Sequence, residues 1–165
     1  MSSDELVEEV DADGNVLRVV TRAEMRAQHL RHRAVYLLVV HGGQLLVHQR
    51  AAHKDVWPGR WDVAAGGVVG AGESWDDAAR RELREELGVE ADPVPVGAGA
   101  WETEDVKVLG RVYVVDHAGP FHFDDGEVVE ARFVDAGGLS QLLATEAMCP
   151  DSVALALPYA RRWLD

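Results

Sequence analysis

The strongest hydrophobic pattern along the chain is the run AVYLLVV at 34–40, followed by QLLVHQR at 44–50. The two are split by His41-Gly42-Gly43. Two such runs around a glycine turn predict a β-hairpin whose first strand is buried on both faces. Upstream, VEEVDADGNVLRVVTR predicts two short strands turning at Asp13-Gly14-Asn15. The glycine comes too early and the distal glutamate is missing for a calcium loop. RAEMRAQHLRHR predicts a short helix or an irregular link. AAHKDVWPGR is a loop, and a brief strand around Trp61 to Ala64 leads into Gly66-Gly67. Ser74 with Asp77 three residues on predicts a helix start, and Gly88 a left-handed stop after about Leu87. Beyond it, VKVLGRVYVV and EVVEARFVD predict strands, AGGLSQLLATEA a short helix, and PDSVALALPYARRWL a last helix kinked at Pro158. No repeat or linker interrupts the series. The pattern predicts one α+β domain over residues 1–165, with a mixed sheet and helices on both faces. Residues 1–30 form an N-terminal hairpin and link.

Composition narrows the function classes. Hydrophobic residues make up 47% of the 165, enough for a core. The net charge of −13, with no basic block, argues against a nucleic acid polymer as partner. One cysteine, Cys149, excludes an intrachain disulfide and is compatible with a reducing compartment. The first residues lack the basic and apolar regions of a secretory signal, and no run reaches the roughly 20 apolar residues of a membrane helix. A cytoplasmic protein with no membrane association is expected.

The helix after Ser74 carries the candidate chemistry. At about 100° per residue, Glu82, Glu85 and Glu86 share one stripe beside an apolar seam of Ala79, Leu83 and Leu87. Arg80 and Arg84 fall on the opposite side. Like charges at this spacing repel by a few tenths of a kcal/mol. Solvation, with Arg81 pairing Glu85, is one escape. A hard divalent cation bound through oxygens is the other. The glycine loop before the helix can bring backbone oxygens close to it. Glu73 stands at the helix entrance, where a carboxylate also suits the dipole.

The stretch Gly67 to Val89 resembles the signature of Nudix hydrolases, G-x5-E-x7-R-E-U-x-E-E-x-G-U, where U is a bulky aliphatic residue. Gly67, Glu73, Arg81, Glu82, Leu83, Glu85, Glu86, Gly88 and Val89 fill every specified position. The resemblance implies the Nudix fold, an α/β/α sandwich around a mixed sheet. It also implies hydrolysis of a diphosphate in a nucleoside diphosphate linked to another moiety X, or in a related organic diphosphate, with Mg²⁺ or Mn²⁺. By position, Glu82, Glu85 and Glu86 would carry the metal together with the carbonyl of Gly66. Glu73 and Arg81 would orient them through a salt bridge, and Glu82 would deprotonate or orient the attacking water. A small-molecule diphosphate is the implied substrate, and a homodimer is compatible with the family analogy.

A second resemblance extends from about Asp11 to the last helix. LRHRAVYLLVV, QLLVHQR and especially Lys54 to Asp62, KDVWPGRWD, look like the Nudix branch related to isopentenyl-diphosphate isomerases. Ala65 and Gly67 stand about where those isomerases carry a catalytic cysteine and a histidine. Of their other histidine ligands, His32 has a counterpart, while Met25 falls near another. The intact glutamate set favours hydrolysis over isomerisation, and over a ligand-sensing module without catalysis. Trp61, Arg50, Lys54, Glu104 and Glu127 are candidate substrate-binding residues. Asp124, Asp125 and Glu130 are further acidic candidates, and Trp57 and Trp101 are further aromatic ones. His32 is expected in a buried hydrogen bond and Cys149 as a small apolar filler.

Overall fold

The long apolar strand β3 (His32–His41) organises the molecule. In this computed structural model, which describes residues 3–123 and 126–165, its side chains alternate between two cores. Ala34, Tyr36, Leu38 and Val40 face one core, and Val35, Leu37 and Val39 face the other. Helix α2 (Trp75–Leu87) covers the second face with Ala78, Ala79, Leu83 and Leu87. The first face is covered by α3 (Ala136–Thr145), α4 (Pro150–Leu155) and α5 (Leu157–Ala160). The expected α/β/α sandwich around a mixed sheet is therefore observed.

Strand pairing around β3 shapes the site. On one side it runs parallel to β8 (Lys107–Asp116). On the other it meets β4 (Gln44–Arg50) only through Val40↔Leu45 and His41↔Gln44, next to the hairpin turn. There β4 diverges, pairing with β9 (Val128–Val134) on one edge and with β5 (Trp61–Asp62) on the other. The freed edge of β3 takes β6 (Ala65–Val68), in register from Ala34↔Val68 to Leu37↔Ala65. A cavity of about 430 Å³ lies at this divergence, lined by residues of β3, β4, β5 and β6.

The N-terminal hairpin forms as expected, with β1 (Leu6–Val10) antiparallel to β2 (Val16–Thr21). The link is a capped helix, α1 (Arg22–Ala27), in which the Thr21 hydroxyl accepts from the Glu24 N–H. Val7, Val20 and Met25 pack with Val68, fastening the hairpin beside β6. Helix α2 starts and stops where the sequence predicts: Ser74 accepts from the Asp77 N–H, and Gly88 has φ 68°.

Three details differ from the sequence expectation. The strand around Trp61 is two strands, β5 and β6, each with its own partner. The C-terminal helix is broken rather than kinked, because Pro158 cannot donate and crowds the preceding turn. Strand β7 (Val94–Glu102), VPVGAGAWE, escaped prediction. It is an exposed edge strand paired only along β8, where glycine and proline are tolerated. Asp124 and Asp125 lie outside the described residues.

Docking of α2 depends on its apolar seam. Leu83→Ala, at a fully buried position, should cost about 2–5 kcal/mol in urea unfolding. Arg80→Ala removes only exposed ion pairs with Asp92 and Asp77 and should stay within about 0.5 kcal/mol of the parent.

Candidate active site

Arg81 ties the loop, the helix and β6 together. Its Nε and Nη2 donate to the two oxygens of Glu73 at 2.8 and 2.9 Å, a bidentate pair. Nη2 also donates to the Val68 carbonyl at 3.1 Å. Nη1 reaches Glu82 Oε1 at 2.7 Å and Glu85 Oε2 at 3.1 Å. Glu73 Oε1 accepts from the Gly70 N–H at 2.9 Å, which closes the loop before α2. Burial alone would raise the Glu73 carboxyl, but the Arg81 hydrogen bonds and the Gly70 N–H hold it below its ordinary value.

Glu82 is the unusual group, a carboxylate only 2% exposed. Burial first, then the charges of Glu86 and Glu85, lift it to about 7 against the pull of Arg81. Glu86, one turn on, is also raised, by burial and then by Glu127, with Lys54 and Arg50 opposing. The β6 backbone lies directly against Glu82. A Cβ on Gly67 would sit 2.6–2.8 Å from the Glu82 carboxylate. A Cβ on Gly66, at φ 143°, would run into the Val35 carbonyl oxygen. Both glycines are therefore required for this approach.

Gly66, Glu82, Glu86, Arg50, Lys54 and Glu127 all line the cavity, with Lys54 3.2 Å from Glu127. Three expected site residues are placed elsewhere. Glu85 is half exposed and pairs with Arg81 at i,i+4, because its helical position lies away from the seam of Ala79, Leu83 and Leu87. Trp61 is 5% exposed in the core, with Arg132 stacked 4.9 Å over its ring, so it does not line the cavity. Its place in β5 points the ring inward with Val63 and Leu139. Glu104 is exposed on the turn between β7 and β8, outside the cavity. Trp57 does line it. His32 is buried, its Nδ1 3.0 Å from the Leu30 carbonyl, and Cys149 is buried as expected. Sequence reasoning missed Arg22, Arg26, Tyr36, Asp62 and Asp151 as cavity residues. Two arginines four apart in an acidic N-terminal segment were the one available signal.

Among the described residues, no three His, Cys, Asp or Glu side chains converge closely enough to hold an ion by themselves. The site fits a hard cation in a different way. Mg²⁺ is commonly held by one or two carboxylates, with waters and substrate phosphates completing its shell. Glu82 and Glu86 are two carboxylates raised by burial and by neighbouring negative charge. Such a pair, facing a cavity beside the Gly66–Gly67 backbone, is an all-oxygen donor set suited to that arrangement.

Residues 30–151 match the family model described as NUDIX domain. The chain belongs to the NUDIX domain family. YfcD of Escherichia coli K12, described as an uncharacterised Nudix hydrolase, is 38% identical over 160 residues, covering 95% of this chain and 88% of its own. An uncharacterised Nudix hydrolase of Yersinia pestis is 42% identical over 128 residues, covering 76% and 70% respectively. The crystal structure of DR0079 from Deinococcus radiodurans superposes with a TM-score of 0.78 at 25% identity, covering 96% of this chain and 98% of the other. The protein is thus a Nudix hydrolase, an enzyme acting on pyrophosphate bonds. Nudix hydrolases generally need a divalent cation such as Mg²⁺ or Mn²⁺. Among the described residues, no helix is long and apolar enough to cross a membrane.

His32 gives this Nudix site a measurable acid response. Burial, then Arg26, lowers its pKa from 6.5 to about 4. Between those values the unfolded chain binds a proton that the folded chain refuses, so this group makes stability rise with pH. The raised carboxyls act in the opposite sense but are common to parent and variant. His32→Asn should therefore shift the pH dependence of urea unfolding between about pH 4 and 6.5 toward a smaller rise. An unaltered slope would show that His32 does not titrate as its burial requires.

Proposed function

We propose that this Nudix hydrolase cleaves the diphosphate of a nucleoside diphosphate linked to another moiety X, or of a related organic diphosphate. The observation that carries the reading is the buried Glu82 carboxylate, set against the Gly66–Gly67 backbone and one helical turn from Glu86. Glu82, Glu86 and the Gly66 carbonyl would hold Mg²⁺ or Mn²⁺, with Glu127 adjoining Glu86. A cation bound there would screen the dense negative charge of the P–O–P link and favour water attack on phosphorus. Glu82, which also faces the cavity, would take or orient the proton of the attacking water. Arg81 and Glu73 act as positioning residues. Their bidentate pair fixes the helix against the loop, and Arg81 restrains both Glu82 and Glu85. Arg50 and Lys54 line the same cavity and would meet the phosphates of a substrate bound there. The whole chain acts as one catalytic unit, resident in the cytoplasm, and a homodimer is compatible with that role.

Isopentenyl-diphosphate isomerisation is the alternative, and the cavity disfavours it. Such a reaction needs an acid and a base on opposite sides of a short apolar chain. The chain's one cysteine, Cys149, is 1% exposed, and burial pushes its thiol up. It is not a cavity residue.

A phosphate-release screen over organic diphosphates with Mg²⁺ and Mn²⁺ in parallel tests the activity. Chelator should abolish release, and full activity in excess chelator would sink the mechanism. Glu86→Gln should leave the fold intact and lower kcat on the order of 10²-fold or more. A variant within a few-fold of the parent would assign Glu86 to solvation. Incubation with isopentenyl diphosphate and Mg²⁺ should yield no dimethylallyl diphosphate at a catalytic rate.

A further inference from the structure

Although the chain is strongly acidic, one part of its cavity is cationic. Arg22 and Arg26 come from α1, one turn apart, and Arg50 and Lys54 join them. The last two have partners: Lys54 pairs with Glu127 at 3.2 Å, and Arg50 Nε donates to the Val56 carbonyl at 3.1 Å. Arg22 and Arg26 share one exposed carboxylate, Asp55. It lies 3.0 Å from Arg22 Nη1 but 3.7 Å from Arg26 Nε, too far for a hydrogen bond.

Both arginines and Trp57 keep unused donors. Arg22 Nε, Arg26 Nε and Trp57 Nε1 are buried without a hydrogen-bond partner, and all three residues line the cavity. Among the described residues, Asp151 Oδ1 is the one other buried side-chain polar atom in that state; it also lines the cavity, and its Oδ2 accepts from the Tyr36 hydroxyl. Leaving buried donors unmade is unfavourable, and folded proteins keep few of them. Trp57 is moreover held at φ 49°, a conformation that bulky residues rarely adopt. Its ring is fixed by an edge contact to Trp101 at 6.0 Å and by Arg60 at 4.9 Å. Two permanent cations and an indole N–H, all donors, suit a ligand that offers several charged acceptors. A phosphoryl group does so, and arginine matches its geometry.

We propose that Arg22, Arg26 and the indole N–H of Trp57 form a phosphoryl-binding subsite of this cavity. The subsite rests on the diphosphate-hydrolase reading and extends it to substrate recognition. The phosphoryl group has two candidate sources: the diphosphate that is cleaved, or a phosphate monoester carried by X. Asp55 neutralises part of the cluster and competes with the ligand.

The test is calorimetric binding of inorganic pyrophosphate to the full chain in excess chelator, where hydrolysis plays no part. The parent should bind. Arg22→Gln and Arg26→Gln should each raise Kd on the order of tenfold or more, while Arg162→Gln on the C-terminal turn leaves it unchanged. Asp55→Asn distinguishes recognition from a purely structural role. It tightens pyrophosphate binding if the guanidiniums serve a ligand. A lowered Tm with unchanged affinity would instead make Asp55 a loop tether and overturn the proposal. Unchanged affinity in folded Arg22→Gln and Arg26→Gln would overturn it as well. Comparing coenzyme A with dephospho-coenzyme A under Mg²⁺ assigns the source. A kcat/KM loss in Arg26→Gln confined to the phosphomonoester substrate points to X, and an equal loss on both points to the cleaved diphosphate. Intact arginine-dependent binding without any hydrolysis would refute the hydrolase reading and leave the subsite standing.

Discussion

The site depends on one guanidinium. Arg81 is bidentate to Glu73, holds the Val68 carbonyl, and touches Glu82 and Glu85. It thereby joins three elements that sequence distance would leave free to move: the loop at Gly70, strand β6 and helix α2. It lies 2.7 Å from the buried Glu82 and opposes the rise that burial imposes on that carboxyl. The same cation cannot satisfy everything at once. It pairs with Glu85 on the outer side while Glu86 remains toward the cavity, so the three carboxylates that share a helical stripe are divided between two tasks.

The cavity follows from the way β3 is shared. A hairpin that continued pairing along its length would close this space with backbone hydrogen bonds. Here β4 leaves β3 after two residue pairs and β6 enters instead. The break in pairing keeps the Gly66–Gly67 backbone at the edge of an open volume. The substitution of one partner by another is stabilised on both faces, by α2 below and by α3 to α5 above.

Much of this was legible in the chain itself. The run at 34–40 marked the central strand because burial on both faces leaves no polar alternation. Ser74 and Gly88 marked α2 because cap chemistry is local, and the glutamate spacing marked its functional stripe. What was illegible depended on partners distant in sequence. VPVGAGAWE carries glycine and proline that argue against a strand, yet β8 provides it with an edge to pair with. Trp61 stands beside cavity residues in sequence, but a two-residue strand turns its ring into the core. Glu85 and Glu86 were grouped in one stripe, but they stand about 100° apart on the helix, and Glu86 is the one beside the buried seam while Glu85 turns out to Arg81. Arg22 and Arg26 precede the glycine loop by some forty residues, so nothing local linked them to it.

The small cluster of Val7, Val20, Met25 and Val68 fastens the N-terminal hairpin to the strand that carries the site glycines. Polar contacts reinforce it: Glu8 of β1 pairs with Arg33 and accepts from the Gly72 N–H, and the Ala71 N–H donates to the Leu6 carbonyl. The wall carrying α1 and the wall carrying the glutamates come from separate stretches of chain, but β1 braces both, through Val68 and through the loop before α2. Sequence drift is therefore freer in α1 than in β1. A lineage of these proteins could exchange the molecules it accepts by altering α1, while the β1 residues that brace the loop keep the chemistry of the glutamate helix unchanged.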